Sequence, residues 1–218
     1  MRGIYWYVSR QKVDALMQAF GPAGFNLFKE LSLTLKAPFL GEAKASLNPD
    51  RSLIQNVENI ENGIKTAGAL SDLSDAGSKT FFYFRGRAHR AVEQGAYFIV
   101  LSQDRTALLL AGSPANAIGA PPKQSEEISP SVDPLGSINR AFKDQLKDSE
   151  QARDLSNGCA YMWVMLASPV RDDWASIPEV EGIAVFGAAF PSIGHFRRLN
   201  FAELDRIVIG SPIFVRQL

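Results

Sequence analysis

The sequence carries a single cysteine, Cys159, and only two histidines, His89 and His195. One thiol cannot form an internal disulfide, and so few soft ligands leave no His/Cys spacing of the kind that holds zinc; the acidic pairs Asp172-Asp173 and Glu179/Glu181 have no ligating partners nearby in sequence. Net charge is absent too, with 23 Lys and Arg against 23 Asp and Glu, so the chain lacks the basic footprint of a dedicated double-stranded nucleic-acid binder. No apolar run approaches the roughly 20 residues that span a bilayer as a helix, the nearest being the shorter 159–167. The first residues do not show the charged, apolar, small order of a secretion signal, and with the lone cysteine this predicts a reducing, cytoplasmic setting and no membrane partner. Neither GxGxxG nor GxxxxGK[ST] occurs, which removes the common nucleotide motifs, and no cofactor is predicted.

What is present is β-rich. Residues 79–119 hold three runs of β-formers, 81–92, 96–102 and 106–111, joined by Glu93-Gln94-Gly95 and Gln103-Asp104-Arg105. Connections this short join antiparallel neighbours, because a parallel crossover needs a dozen or more residues. The reading is a three-stranded meander. Its third run, Ala107-Leu108-Leu109-Leu110-Ala111, is apolar without alternation, which predicts a central strand covered on both faces; the charged first run is expected towards an edge.

Elsewhere, Ile4, Trp6 and Val8 alternate with Tyr5, Tyr7 and Ser9 as an N-terminal strand. Ser9 then precedes Val13, Leu16, Met17 and Phe20 at helical spacing, and Gly21-Pro22 ends that helix. Leu31, Leu33 and Leu35 suggest a strand, with a second edge-like one at 42–47. Residues 51–67 give the clearest helix, with the stripe Leu53, Ile54, Val57, Ile60 and Ile64. A loop is expected over 68–78, and a Pro/Ser-rich loop over 121–134, where four prolines and three serines cluster. Leu135, Ile138, Phe142 and Leu146 mark a third amphipathic helix, running on to about Asn157-Gly158. Residues 159–167 are read as a strand; 179–189 are open between helix and strand because Gly182 and Gly187 weaken a helix. Residues 206–217 are β-rich around Gly210-Ser211-Pro212, so the C-terminus also enters the sheet. The expected fold is one α+β domain over residues 1–218: a mixed, largely antiparallel sheet with a central meander at about 81–111, both terminal strands inserted, covered by three amphipathic helices.

Three features carry candidate chemistry. Arg85, Arg87 and His89 share a parity and project from one face of a strand, with Phe81 and Tyr83 on the same face to stack a base, a pattern that suits a phosphate or another small anion; solubilising an edge strand is the plainer role. Lys12 would add charge if the strands are neighbours. The recurrence of Gly112-Ser113-Pro114 and Gly210-Ser211-Pro212 after apolar strands marks Ser113 and Ser211, either as ligand contacts, with Ser113 capping a short helix, or as two strand-ending turns. Cys159 with His195 is the one thiol–base pair available, and a small buried cysteine is its plainer reading.

Tyr5-Trp6-Tyr7-Val8-Ser9 followed by Lys12-Val13-Asp14-Ala15-Leu16, then Phe84-Arg85-Gly86, the segment 109–119, and the ending Val208-Ile209-Gly210-Ser211-Pro212-Ile213-Phe214-Val215 resemble a bacterial family of unknown function. That family is linked by gene neighbourhood to caspase-like proteases and TPR proteins of bacterial conflict systems. The resemblance implies an accessory or sensor role in defence, with a caspase-like protease or TPR protein as partner, and it supplies no catalytic residue. Together these readings favour a non-enzymatic domain that binds a partner protein or a small anionic, nucleotide-like ligand. A phosphodiesterase or nuclease using Lys12, Arg85, Arg87 and His89, and an oligomeric scaffold, are the alternatives.

Overall fold

The structure, a computed structural model, describes residues 4–19, 51–93, 95–119, 155–168, 175–191, 201 and 203–218. In chain order these form β1 (Tyr5–Val8), α1 (Arg10–Ala19), α2 (Arg51–Thr66), β2 (Leu70–Asp72), β3 (Phe81–Glu93), β4 (Ala96–Gln103), β5 (Thr106–Gly112), α3 (Leu155–Ala167), β6 (Glu179–Pro191) and β7 (Arg206–Gln217).

The meander β3–β4–β5 is antiparallel and closed by short turns. Asp104 and Arg105 both take positive φ, 47° and 63°, which gives the β4–β5 hairpin the twist that its two-residue connection needs. β7 pairs parallel with β5 and antiparallel with β6, and β6 pairs back onto the first half of β3. The order β3–β4–β5–β7–β6–β3 is therefore a closed ring, a five-stranded barrel. β1 attaches to the end of β7, and β2 lies parallel to the start of β3.

Period-two alternation sorts the side chains into layers. Tyr97, Ile99 and Leu101 of β4 fill the barrel with Phe82, Phe84, Leu108, Leu110, Val208 and Val215. Their neighbours Phe98 and Val100 point outwards, where α3 packs on them with Cys159, Met162 and Trp163. α1 and α2 cover the outside of β6 and β7 with Val13 and Leu16 and with the stripe Leu53, Val57, Ile60 and Ile64, spaced at whole helical turns. Both outer layers and the interior are anchored on the same strands. Gly182 of β6 permits this closeness: a Cβ there would collide with the Phe214 carbonyl and lie 2.6 Å from Phe84 Cζ inside the barrel.

Several expectations need correction. The sheet is not open but closed. β3 is not an edge strand, because its first half pairs with β6 and β2 and its second half with β4. Residues 159–167 are helix, within α3; sheet burial and helix burial both give a continuous apolar run, and periodicity cannot separate them. The boundary expected near Asn157-Gly158 falls inside that helix. From residue 158 onwards α3 is buried except for Tyr161 and Met165, which are half-buried. The loop expected over 68–78 contains β2 and a 3-10 turn at Leu73–Asp75. Residues 179–189 resolve to strand, and β5 is central and buried throughout, as its unbroken apolar run predicts. The strands expected at 31–35 and 42–47, the 121–134 loop, the helix expected from Leu135, the Gly21-Pro22 stop and His195 lie outside the described residues.

Candidate functional site

β6 begins at Glu179, opposite Arg87, whereas β3 runs on to Glu93 beside β4. The last link across is Ala88 N–H to the Pro178 carbonyl at 3.2 Å. Beyond it the barrel is open on that side among the described residues, and a cleft of about 430 Å³ lies there, lined by Trp6, Ala88, His89, Arg90, Ile177, Pro178 and Gln217.

Arg90 is the centre of this mouth. Even-numbered positions of β3 face the interior, as Phe82, Phe84 and Ala88 show, so Arg90 presents its guanidinium at the end of the barrel rather than on the outside. Its Cζ stands 4.8 Å from the centroid of Trp6, whose Nε1–H donates to Gln217 Oε1 at 3.2 Å. Among the described residues no carboxylate forms an ion pair with Arg90. Deeper in, Tyr7 and Tyr97 stack at 5.8 Å and 21°. Tyr7 Oη accepts from Asn116 Nδ2 at 3.3 Å, and burial pushes its pKa up to about 12. Gly112 backs this ring, since a Cβ there would lie 2.7 Å from Tyr7 Cζ. The Tyr97 hydroxyl is buried next to the Arg90 guanidinium; burial raises its pKa, with the Arg90 charge and hydrogen bonding to Arg90 acting against that. His89, half-buried, is pushed below its ordinary value by burial and then by the Arg90 charge. A guanidinium with no ion pair among the described residues, on an indole face beside a buried hydroxyl and an apolar wall, is suited to a flat or extended molecule bearing one negative group.

The outward row on β3 is engaged otherwise. Arg85 Nε pairs with Glu179 at 2.8 Å in solvent. Arg87 Nη1 donates to the carbonyls of Ala175 and of Ile177, the latter at 3.0 Å, and so fixes the Ile177–Pro178 wall of the cleft. Phe81 is buried under the helices, and Tyr83 donates to Glu181 Oε2 at 2.7 Å. Glu181 in turn binds Arg216 at 2.6 Å, and Arg216 reaches Glu61 of α2 at 3.1 Å, a lattice that ties the helix to the barrel. Burial pulls Glu181 upwards, yet the bonds from Tyr83 and Arg216 hold its pKa below the ordinary value.

Lys12 and Ser211, far apart in sequence, do come together. Lys12 Nζ donates to Ser211 Oγ and, at 3.0 Å, to the Pro212 carbonyl. The second Gly-Ser-Pro is not a turn, because β7 passes straight through it; a bulge against β6 frees these carbonyls, and Ser9 N–H takes the next one, Ile213 O, at 2.8 Å. α1 thus begins by closing the bulge. Burial lowers Lys12 from 10.5 to about 7. Ser113 does cap a helix, a single 3-10 turn over Pro114–Asn116, by accepting from Ala115 N–H at 3.2 Å. No described hydrogen bond joins the Lys12–Ser211 pair to the Arg85, Arg87, His89 row.

Arg90, Trp6 and Tyr97 escaped the sequence reading. The signal for Arg90 is its parity: it is the one charge among the apolar even positions of β3, whereas the odd positions carry charge more often. Pairing it with Trp6 needed the tertiary fold. Among the described residues no group of His, Cys, Asp or Glu is arranged to hold a metal ion.

The architecture defines a class, a small closed β-barrel with helices layered on its outside and a polar mouth. Over residues 4–218 the chain matches a family of unknown function, DUF7019, and it belongs to that family. Neither the curated proteins nor the solved structures contain a match to it. Among the described residues no helix is long and apolar enough to cross a membrane.

Proposed function

We propose that this domain is a non-enzymatic binding module whose ligand is a small anionic, nucleotide-like group held at the barrel mouth. The observation that carries the reading is Arg90: a guanidinium on the interior face of a barrel, over an indole, in a cleft, with no carboxylate partner among the described residues. A carboxylate or phosphate would take the fork of the guanidinium while a planar body lies along Trp6, Ile177 and Pro178. His89 belongs both to the Arg85 and Arg87 row of β3 and to the lining of this cleft, whereas Arg85 and Arg87 do not line it. An accessory role in a bacterial conflict system, beside a caspase-like protease or TPR protein, is supported by the sequence resemblance alone.

Trp6 supplies the assay. Its fluorescence should change saturably on titration with adenosine monophosphate or a cyclic dinucleotide, Trp6→Phe should remove the change, and Arg90→Met should abolish binding. A full mononucleotide and cyclic-dinucleotide panel that leaves both Trp6 emission and the native mass unaltered would refute the reading.

A further inference from the structure

At the same mouth, among the described residues, β3 has a strand edge that no other strand pairs. Ala88 N–H points towards β6, where Pro178 accepts it. In a β-strand the N–H and C=O of one residue point to the same side and alternate residues share that side. Arg90 and Val92 therefore turn their main-chain groups the same way, away from β4, along a stretch where β6 has not yet begun. His89, Ala91 and Glu93 face β4. Among the described residues no strand pairs with β3 on this side beyond Ala88, so the edge offers two donors and two acceptors in line. The Arg90 side chain stands at its middle and the apolar wall of Ile177 and Pro178 at one end.

We infer that the mouth binds the C-terminal segment of a partner peptide, added as a strand to the edge of β3 at Arg90 and Val92 with its terminal carboxylate on the Arg90 guanidinium. The inference rests on the reading of the cleft as an anion site and names the body that the anion belongs to. Main-chain bonds to the edge supply affinity irrespective of sequence, while Trp6, Ile177 and Pro178 select an apolar side chain near the terminus. Residues 89–93 span about 16 Å, enough for four or five peptide residues. A free mononucleotide uses the guanidinium and leaves the edge unpaired.

The test is selection of a random library of N-acetylated hexapeptides with free C-terminal carboxylates on the immobilised full chain, with Arg90→Met as the counter-selection. The best peptide is resynthesised as the acid, as the C-terminal amide, and with N-methyl groups on alternate residues. We expect the amide to bind at least about tenfold more weakly, one N-methylated register to lose binding and the other to keep it, and the Arg90 and Val92 amides to gain protection from hydrogen exchange. Val92→Pro, which removes an N–H that bonds to nothing in the described fold, should keep the thermal midpoint and lose the peptide. Protection of both amides in the unliganded protein, or affinity indifferent to N-methylation, overturns strand addition. If no peptide is selected but adenosine monophosphate still binds through Arg90, the strand inference falls and the anion reading stands; a peptide acid that binds through Arg90 where no nucleotide does keeps the strand inference and the anion site and overturns the nucleotide as its ligand; if neither binds, both fall.

Discussion

Lys12→Met separates burial of a charge from every other contribution to stability. The Lys12 ammonium has two acceptors and no carboxylate within ion-pair distance among the described residues, and its pKa falls from 10.5 to about 7 because burial disfavours the charged form. The unfolded chain therefore holds this proton more tightly than the folded one. Between about 7 and 10.5 unfolding takes up a proton, so stability rises with pH across that window and is flat below it. The full shift is worth ~5 kcal/mol, and about 3 kcal/mol of it falls between pH 6.5 and 9.5. Methionine keeps the length and apolar volume and loses the titration, at the cost of leaving Ser211 and the Pro212 carbonyl without their donor, roughly 1–3 kcal/mol each. The two effects oppose each other at low pH, so the absolute stability of the variant decides nothing. The difference in slope does. Urea unfolding of both proteins at the two pH values should show the native chain gaining about 3 kcal/mol relative to the variant as pH rises. Parallel profiles, within ~0.5 kcal/mol, would refute a lysine buried without compensation.

Three further substitutions test the frame around the site. Glu181 has a folded pKa below its ordinary 4.5, so its stabilisation is fully present above that value and is lost as pH falls through the folded pKa; Glu181→Gln should flatten the acid limb of stability, and Arg216→Met, which strands Glu181 against Tyr83, should cost roughly 2–4 kcal/mol at pH 7 by urea unfolding. Gly182→Ala drives a methyl into the Phe214 carbonyl and the Phe84 ring and should cost about 3 kcal/mol, read as a lowered thermal midpoint; a neutral result would mean that β6 and β7 are spaced more loosely than described.

How far the sequence could be read depended on how local the signal was. The β4–β5 hairpin, the Ser9 start of α1 and the α2 stripe were legible because each is settled by turn chemistry or by spacing within a dozen residues. α3 was misread because Cys159, Met162, Trp163 and Leu166 are apolar whichever period is applied, and only their contact with Phe98, Val100 and Ile207 settles it. The site behaved similarly. Arg85, Arg87 and His89 share a parity along β3, but which face opens on a cleft depends on where β6 begins, and that lies 90 residues away in the chain. Lys12 and Ser211 were each singled out, for charge and for the Gly-Ser-Pro repeat, and nothing in the sequence said that they touch.

By itself the sequence determined the α+β composition, the meander, the two terminal strands and the buried centrality of β5, because alternation, turn residues and apolar runs act over a few neighbours. Closure of the barrel, the open mouth at Arg90, and the burial of Lys12 were decided only in three dimensions. They follow from the length mismatch between β3 and β6 and from the bulge between Pro212 and Phe214, long-range pairings whose register no local pattern fixes.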